Sequence, residues 1–252
     1  MINKIKVRFL GTNGWYDTDT GNTICILIET GNEYVVLDAG NGIYKLDKFI
    51  TDPNKPIYLF ISHFHFDHII GLHVLAKFRF KQGLNIVVPN GQKKLLKTII
   101  NKKFTLSIDK LPFKTKVYET PKEKNKIKFL LKCLPLRHPV PCYGFMFNFG
   151  DKVVSYVSDT GFCKNAVILA KDADLLITEC AFKSDQDDIV WPHLNPNTAA
   201  QIAKQSNAKK LVLVHFDAEI YKTLKDRMTA QIDAKKCFNN TIAAFDDLEI
   251  LI

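Results

Sequence analysis

The 252-residue sequence predicts an α/β fold, and three observations carry that expectation. Short runs of β-branched and apolar residues recur along the chain, several of them apolar at every position, as strands covered on both faces require. Between these runs lie segments with apolar residues at helical spacing, so strands and helices alternate rather than segregate. Histidines and aspartates stand just after the strand-like runs, before loops, which is where α/β sheets gather their sites.

Taken in order, Lys6–Leu10 and Thr23–Glu29 read as strands, and Tyr34–Leu37 follows a Gly31-Asn32 turn signal. The loop Asp38-Ala39-Gly40-Asn41-Gly42 closes that strand. Ile57–Ile61 is a strand ending at Ser62, and Gly71–Arg79 reads as a helix. Ile86–Val88 is a short strand. Gln92–Lys102 is a helix with Leu95, Leu96, Ile99 and Ile100 on one side. Phe113–Lys132, rich in Lys and Pro, reads as a pair of edge strands with an exposed tip, while Phe78, Phe80, Phe104 and Phe113 are assigned to the core. Phe145–Phe149, Val153–Val157 and Leu175–Thr178 look like buried strands. Asn197–Ser206 is a helix capped by Asn197, with a small apolar face of Ala199, Ala200, Ile202 and Ala203. Leu211–Val214 is a strand, and a last helix lies within Leu224–Cys237. With no linker, low-complexity tract or internal repeat, residues 1–252 are expected to form one domain.

Composition narrows the functional classes. No apolar run approaches the ~18–20 residues that cross a bilayer, and Met1–Lys6 lacks a signal-peptide core. The expectation is a cytoplasmic protein with no membrane partner. Six cysteines form no Cys-x-x-Cys pair and sit in mostly apolar surroundings, as reduced core thiols do. The net charge of +9 is uneven: residues 77–132 hold 16 Lys or Arg against 3 Asp or Glu, a balance of +13 that leaves −4 elsewhere. That segment is either a phosphate-binding surface or a lysine-rich solvated one.

The chemistry concentrates in Ser62-His63-Phe64-His65-Phe66-Asp67-His68, which packs three imidazoles and a carboxylate into six positions at a strand end. Neutral imidazole and carboxylate suit Zn²⁺ and similar ions. Alternate residues of an extended segment point the same way, so His63 and His65 converge on one ion. A turn into a helix then lets Asp67 and His68 face a second ion. Downstream, His138, Asp159, His193 and His215 each sit at a strand end or next to a loop.

On these residues the chain resembles the metallo-β-lactamase superfamily and, within it, the ribonuclease Z branch. The motifs Phe9-Leu10-Gly11-Thr12, Leu37-Asp38-Ala39-Gly40-Asn41-Gly42, His63-x-His65-x-Asp67-His68, His138-x-Val140-Pro141, Ser158-Asp159-Thr160, Thr178-Glu179-Cys180-Ala181-Phe182, His193-Leu194 and Val214-His215-Phe216 recur in order over nearly the whole chain. The resemblance implies a four-layer αβ/βα sandwich and two divalent metal ions, zinc first, with manganese or iron as alternatives. His63, His65 and His138 would hold one metal, Asp67, His68 and His215 the other, and Asp159 would bridge them. It also makes His193 the proton donor to the leaving group, Glu179 the residue that orients it, and Asp67 the group that orients or deprotonates the attacking water. Asp38 would accept the second imidazole hydrogen of a ligand, and His73 is left to the surface. A homodimer is a further implication.

The implied activity is that of a metal-dependent hydrolase acting on a phosphodiester, either a nucleotide or cyclic diester or an RNA. The ribonuclease Z pattern carries a long arm-forming insertion between the segments matching His138 and Asp159. Here only 20 residues separate the two, and His215 is not followed by the family's Arg-Tyr pair. The expectation is therefore a phosphodiesterase for a nucleotide or cyclic diester. The alternatives are transfer RNA 3′-end processing and a lactone or thioester hydrolase of the same fold. A non-catalytic metal- or RNA-binding module leaves His193 unexplained, and an iron-dependent redox relative disagrees with the intact His-x-His-x-Asp-His segment.

Overall fold

The computed structural model describes residues 4–252. The expectation drawn on Met1–Asn3 lies outside them. In chain order the early strands are β1 (Lys6–Gly11), β2 (Asn13–Gly14), β3 (Cys25–Glu29), β4 (Tyr34–Leu37), β5 (Ile57–Phe60), β6 (Leu84–Pro89), β7 (Thr115–Thr120) and β8 (Leu130–Pro135). The later ones are β9 (Tyr143–Asn148), β10 (Val153–Val157), β11 (Leu175–Glu179), β12 (Leu211–Val214), β13 (Phe216–Asp217), β14 (Thr241–Ala243) and β15 (Leu248–Leu251). The α-helices are α1 (Phe66–Ile69), α2 (Lys93–Ile99), α3 (Lys164–Ala170), α4 (Pro196–Gln205) and α5 (Leu224–Lys235), with 3-10 helices at Asn41–Lys48 and Ile70–Lys77.

Two large sheets explain why whole strands are apolar. One has the order β15-β1-β3-β4-β5-β6-β7, the other β14-β12-β11-β10-β9-β8. Along β4, Val35 and Leu37 point into a core shared with Phe145, Phe147, Tyr156, Ile177 and Val212 of the facing sheet. Its alternate residues Tyr34 and Val36 point outward, against Ile43, Leu46, Leu72 and Leu75 of the two 3-10 helices. The second sheet repeats the arrangement: Val157, Leu176 and Leu213 face outward onto α3, α4 and α5. Helix layer, sheet, sheet and helix layer form the expected αβ/βα sandwich. Burial of a side chain such as Leu37 or Val212 contributes roughly 1.5–3 kcal/mol.

Several local expectations are corrected. Residues 70–77 form a 3-10 helix, and the Gly71 N–H at its start is donated to Ala39 O of the preceding loop. Asn195, not Asn197, caps α4: its side chain accepts Thr198 N at 3.0 Å and Pro196 occupies the first helical position. Phe113–Lys132 supplies two edge strands, as expected, but they lie in different sheets and do not pair with each other. β7 runs parallel beside β6 in the first sheet and β8 antiparallel beside β9 in the second, with Ile127 of the crossover buried between them. Leu96 of α2 and Ile100 just after it are buried one turn apart, whereas Leu95 faces solvent. Phe104 is 71% exposed rather than core, since α2 ends at Ile99, before it.

Candidate metal centre

Every expected donor is delivered to one end of the sandwich. β5 leads into Ser62 and His63, β10 into Asp159, β11 ends on Glu179, and β12 leads into His215. These strands run parallel within their sheets, so their carboxyl ends share one edge. β8 runs the same way as β10 across β9 and leads toward His138 at that edge. Asp38 and His215 hold positive φ of 57° and 53°, strained for residues with side chains, a state that persists where surrounding bonds over-determine it.

The structure brings together two groups of donor atoms, each mutually within 4.8 Å: His63, His65, His138 and Asp159, and Asp67, His68 and His215. His138 Nε2 stands 3.3 Å from His65 Nδ1. His68 Nε2 lies 3.0 Å from His215 Nε2, which is 3.0 Å from Asp67 Oδ2. Asp159 sits between the groups, Oδ1 3.2 Å from His68 Nε2, and Oδ2 3.4 Å from His215 Nε2 and 3.8 Å from His63 Nε2. Bonds of 2.0–2.1 Å at a tetrahedral ion place neighbouring ligand atoms about 3.3 Å apart. His63 Nε2 is buried with no hydrogen-bond partner among the described residues. An orphaned buried nitrogen aimed into a nest of lone pairs fits a cation better than it fits a protein core.

The surrounding residues fix the rings. Asp38 Oδ2 accepts from His68 Nδ1 at 2.8 Å, Tyr156 OH at 2.7 Å and Ser62 Oγ at 2.9 Å, and its Oδ1 accepts the Ser62 N–H at 2.7 Å. Ser62 Oγ also lies 3.0 Å from His63 Nδ1. Gly14 lies flat on the third ring: a Cβ there would stand 2.5 Å from His215 Cε1. Tyr156 and Gly14 are not legible from the sequence, each being distant in the chain from the Asp38 carboxylate or His215 ring it touches, while Ser62 adjoins His63 yet shows its role only through Asp38.

Electrostatics divide the cluster. Burial lowers the pKa of His63 well below normal, and takes His138 down to about 4 and His65 below its ordinary value, against the pull of Asp159. Burial works against protonation of His68 and His215 too, but Asp159, Asp67 and Asp38 at the first and Asp159 and Asp67 at the second outweigh it. Asp67 and Asp159 are held well below the usual carboxylate range despite burial, chiefly by those two imidazoles. One group is thus neutral imidazole ready to ligate. In the other the carboxylates favour protons that a cation would displace.

His193 stands beside the donors, within 4.8 Å of ligand atoms of Asp159 and His215. Its Nδ1 is committed to Glu179 Oε1 at 2.8 Å, so Nε2 is the free nitrogen. Burial disfavours a charged ring there, yet Glu179 overrides it and lifts the pKa to about 9. Glu179 is fully buried and fixed by the backbone N–H groups of Thr160 and Ala181 at 2.7 and 3.1 Å. The cluster forms the floor of a cavity of about 510 Å³. His73 is outside it, its Nδ1 against Ile70 O. All six cysteines are free thiols.

Sandwich and donor cluster together define a metal-dependent hydrolase. The chain belongs to the β-lactamase superfamily: the family model described as "Beta-lactamase superfamily domain" matches residues 33–216. Within it, relatives named Ribonuclease Z are among the proteins the chain resembles. It is 28% identical over 217 residues to the "Probable metallo-hydrolase YhfI" of Bacillus subtilis (strain 168), covering 84% of this chain and 87% of that one. It is 27% identical to the "Ribonuclease Z" of Prochlorococcus marinus (strain MIT 9301), covering 97% and 98%. Among solved structures, YhfI from Bacillus subtilis superposes with a TM-score of 0.80 at 22% identity, covering 99% and 100%. The short form of human tRNase Z superposes with 0.72 at 24%, covering 97% and 98%. The structural likenesses bear on the fold. No helix among the described residues is long and apolar enough to cross a membrane.

Proposed function

We propose that the protein is a dinuclear, zinc-dependent phosphodiesterase acting on a nucleotide or cyclic diester. The observation that carries this reading is the pair of donor groups meeting at Asp159 on a cavity floor, with His193 at their side. His63, His65 and His138 would hold one cation, Asp67, His68 and His215 the other, with Asp159 facing both. Divalent cations there supply Lewis acidity, making water acidic near neutral pH and neutralising phosphate oxygens. Asp67, its Oδ2 fixed by the Trp15 N–H at 2.8 Å, orients the attacking water. His193 donates a proton from Nε2 to the leaving alkoxide, and Glu179 keeps that ring charged until it does so.

Zinc-reconstituted protein assayed on bis-p-nitrophenyl phosphate, a cyclic nucleotide and a precursor transfer RNA tests the reading. Turnover of the small diesters is expected, with His193→Ala slowed roughly 10²–10⁴-fold and His65→Ala losing metal as well. Turnover of a lactone or thioester, and of no diester, overturns the reading. The second reading, RNA processing, is favoured by the relative named Ribonuclease Z. Against it, that alignment runs over 315 positions, more than the 252 residues here, so part of the relative has no counterpart. Reversing Lys124, Lys126 and Lys128 to Glu weakens RNA binding at low salt if RNA is the substrate; for a small diester the change is without effect, as none of the three lines the cavity.

A further inference from the structure

Beside Gly14, Ala181 and Asp217, three aromatic side chains stand in the walls of the cavity above the donor cluster. Trp15, Phe66 and Trp191 line it, and no lysine or arginine does. All three are exposed, Trp15 by 64% and Phe66 by 77%, so none is held there by core packing. Trp191 lies parallel to the His65 ring, 5.3 Å between centroids and 12° between planes, which presents its other face outward. Trp15 adopts φ of 71°, a left-handed conformation that a bulky side chain rarely takes. Its N–H is tied to Asp67 Oδ2 at 2.8 Å, fixing that conformation to the donor cluster itself. Apart from an edge-on contact with Tyr16, 5.2 Å between centroids, the Trp15 side chain stands in solvent on a strained backbone. The arrangement makes sense only for something that enters the cavity.

We propose that Trp15, Phe66 and Trp191 form a clamp that stacks the nucleobase of a nucleotide diester beside the scissile phosphate, setting specificity for diesters with a planar, uncharged substituent. A phosphate backbone of several units would need cationic walls, and these are missing. A flat base needs aromatic faces, and stacking on one raises affinity by roughly 5- to 150-fold. A cavity of about 510 Å³ is in the range of small-molecule sites.

The inference rests on the phosphodiesterase reading and has a test that separates the two. Adenosine 5′-(methyl phosphate) and ribose 5-(methyl phosphate) differ only in the base. Zinc-loaded protein is expected to prefer the first by about tenfold or more in kcat/KM, mainly through KM, as one stacked base implies. Trp15→Ala and Trp191→Ala should bring that ratio toward one, and Trp191→Phe, which keeps a planar face on His65, should restore it. A ratio near one in the unaltered protein, or a ratio unchanged in both alanine variants, overturns the clamp. The chain has two tryptophans, both in the clamp, so its tryptophan fluorescence reports on the cavity mouth. Saturable quenching by adenosine and none by ribose supports the clamp; no quenching by adenosine refutes it. If neither diester is turned over, the phosphodiesterase reading fails, while the adenosine titration still decides the clamp.

Discussion

Replacing Glu179 by Gln isolates one electrostatic interaction in the proposed mechanism. An ordinary histidine titrates near ~6.5, whereas His193 is lifted to about 9, against burial, by the Glu179 carboxylate 2.8 Å from its Nδ1. Since this pKa is raised, the acid form is complete below the ordinary value and is lost as pH rises through the elevated one. Gln keeps the acceptor to His193 and the Thr160 N–H but removes the charge. The ring should then titrate lower, by up to roughly 2.5 units since Asp159 and Asp67 still favour its charge, each unit being tenfold in the protonated fraction. The expected profile is a kcat loss under about twofold at low pH that grows toward roughly 300-fold on the alkaline side. The readout is the separation between the variant and parent profiles. The amide also meets the Ala181 N–H unfavourably, costing about 1–3 kcal/mol of stability, so Tm is measured alongside. A pH-independent loss, or coincident profiles, refutes the role assigned to the Glu179–His193 pair.

Other outcomes follow from the supports of the cluster. Gly14→Ala places a methyl 2.5 Å from His215 Cε1 and must displace that ring; metal per chain, measured by plasma mass spectrometry, should fall while far-ultraviolet circular dichroism stays unchanged. Asp38→Asn keeps an acceptor-sized group but loses the charge facing His68 Nδ1; competition with a chelator should show metal binding weakened by about 10–100-fold.

Those supports mark the boundary of what the sequence discloses. His63, His65, Asp67 and His68 are legible because four donors crowd six positions, and His138, Asp159 and His215 because each follows a strand-like run. Tyr156 is not legible: inside an apolar strand it reads as core, and only the fold reveals its OH on Asp38, 118 residues away in sequence. Trp15 reads as a loop aromatic until its backbone is seen tied to Asp67. Strand identities came through well because β4 and β12 are apolar on both faces. Partnership did not: nothing local in Phe113–Lys132 tells that β7 and β8 join opposite sheets. Asn197 and Asn195 are equally good caps for α4 in isolation, and Pro196 between them is what selects Asn195.

The central claim, that two donor groups share Asp159 to hold a pair of cations, is tested most directly by metal content. Protein stripped with chelator, reloaded with zinc and freed of excess ion should carry two equivalents per chain, and Asp159→Ala should lose both together. A chain that retains no zinc, or an Asp159→Ala variant that keeps two equivalents, would contradict it.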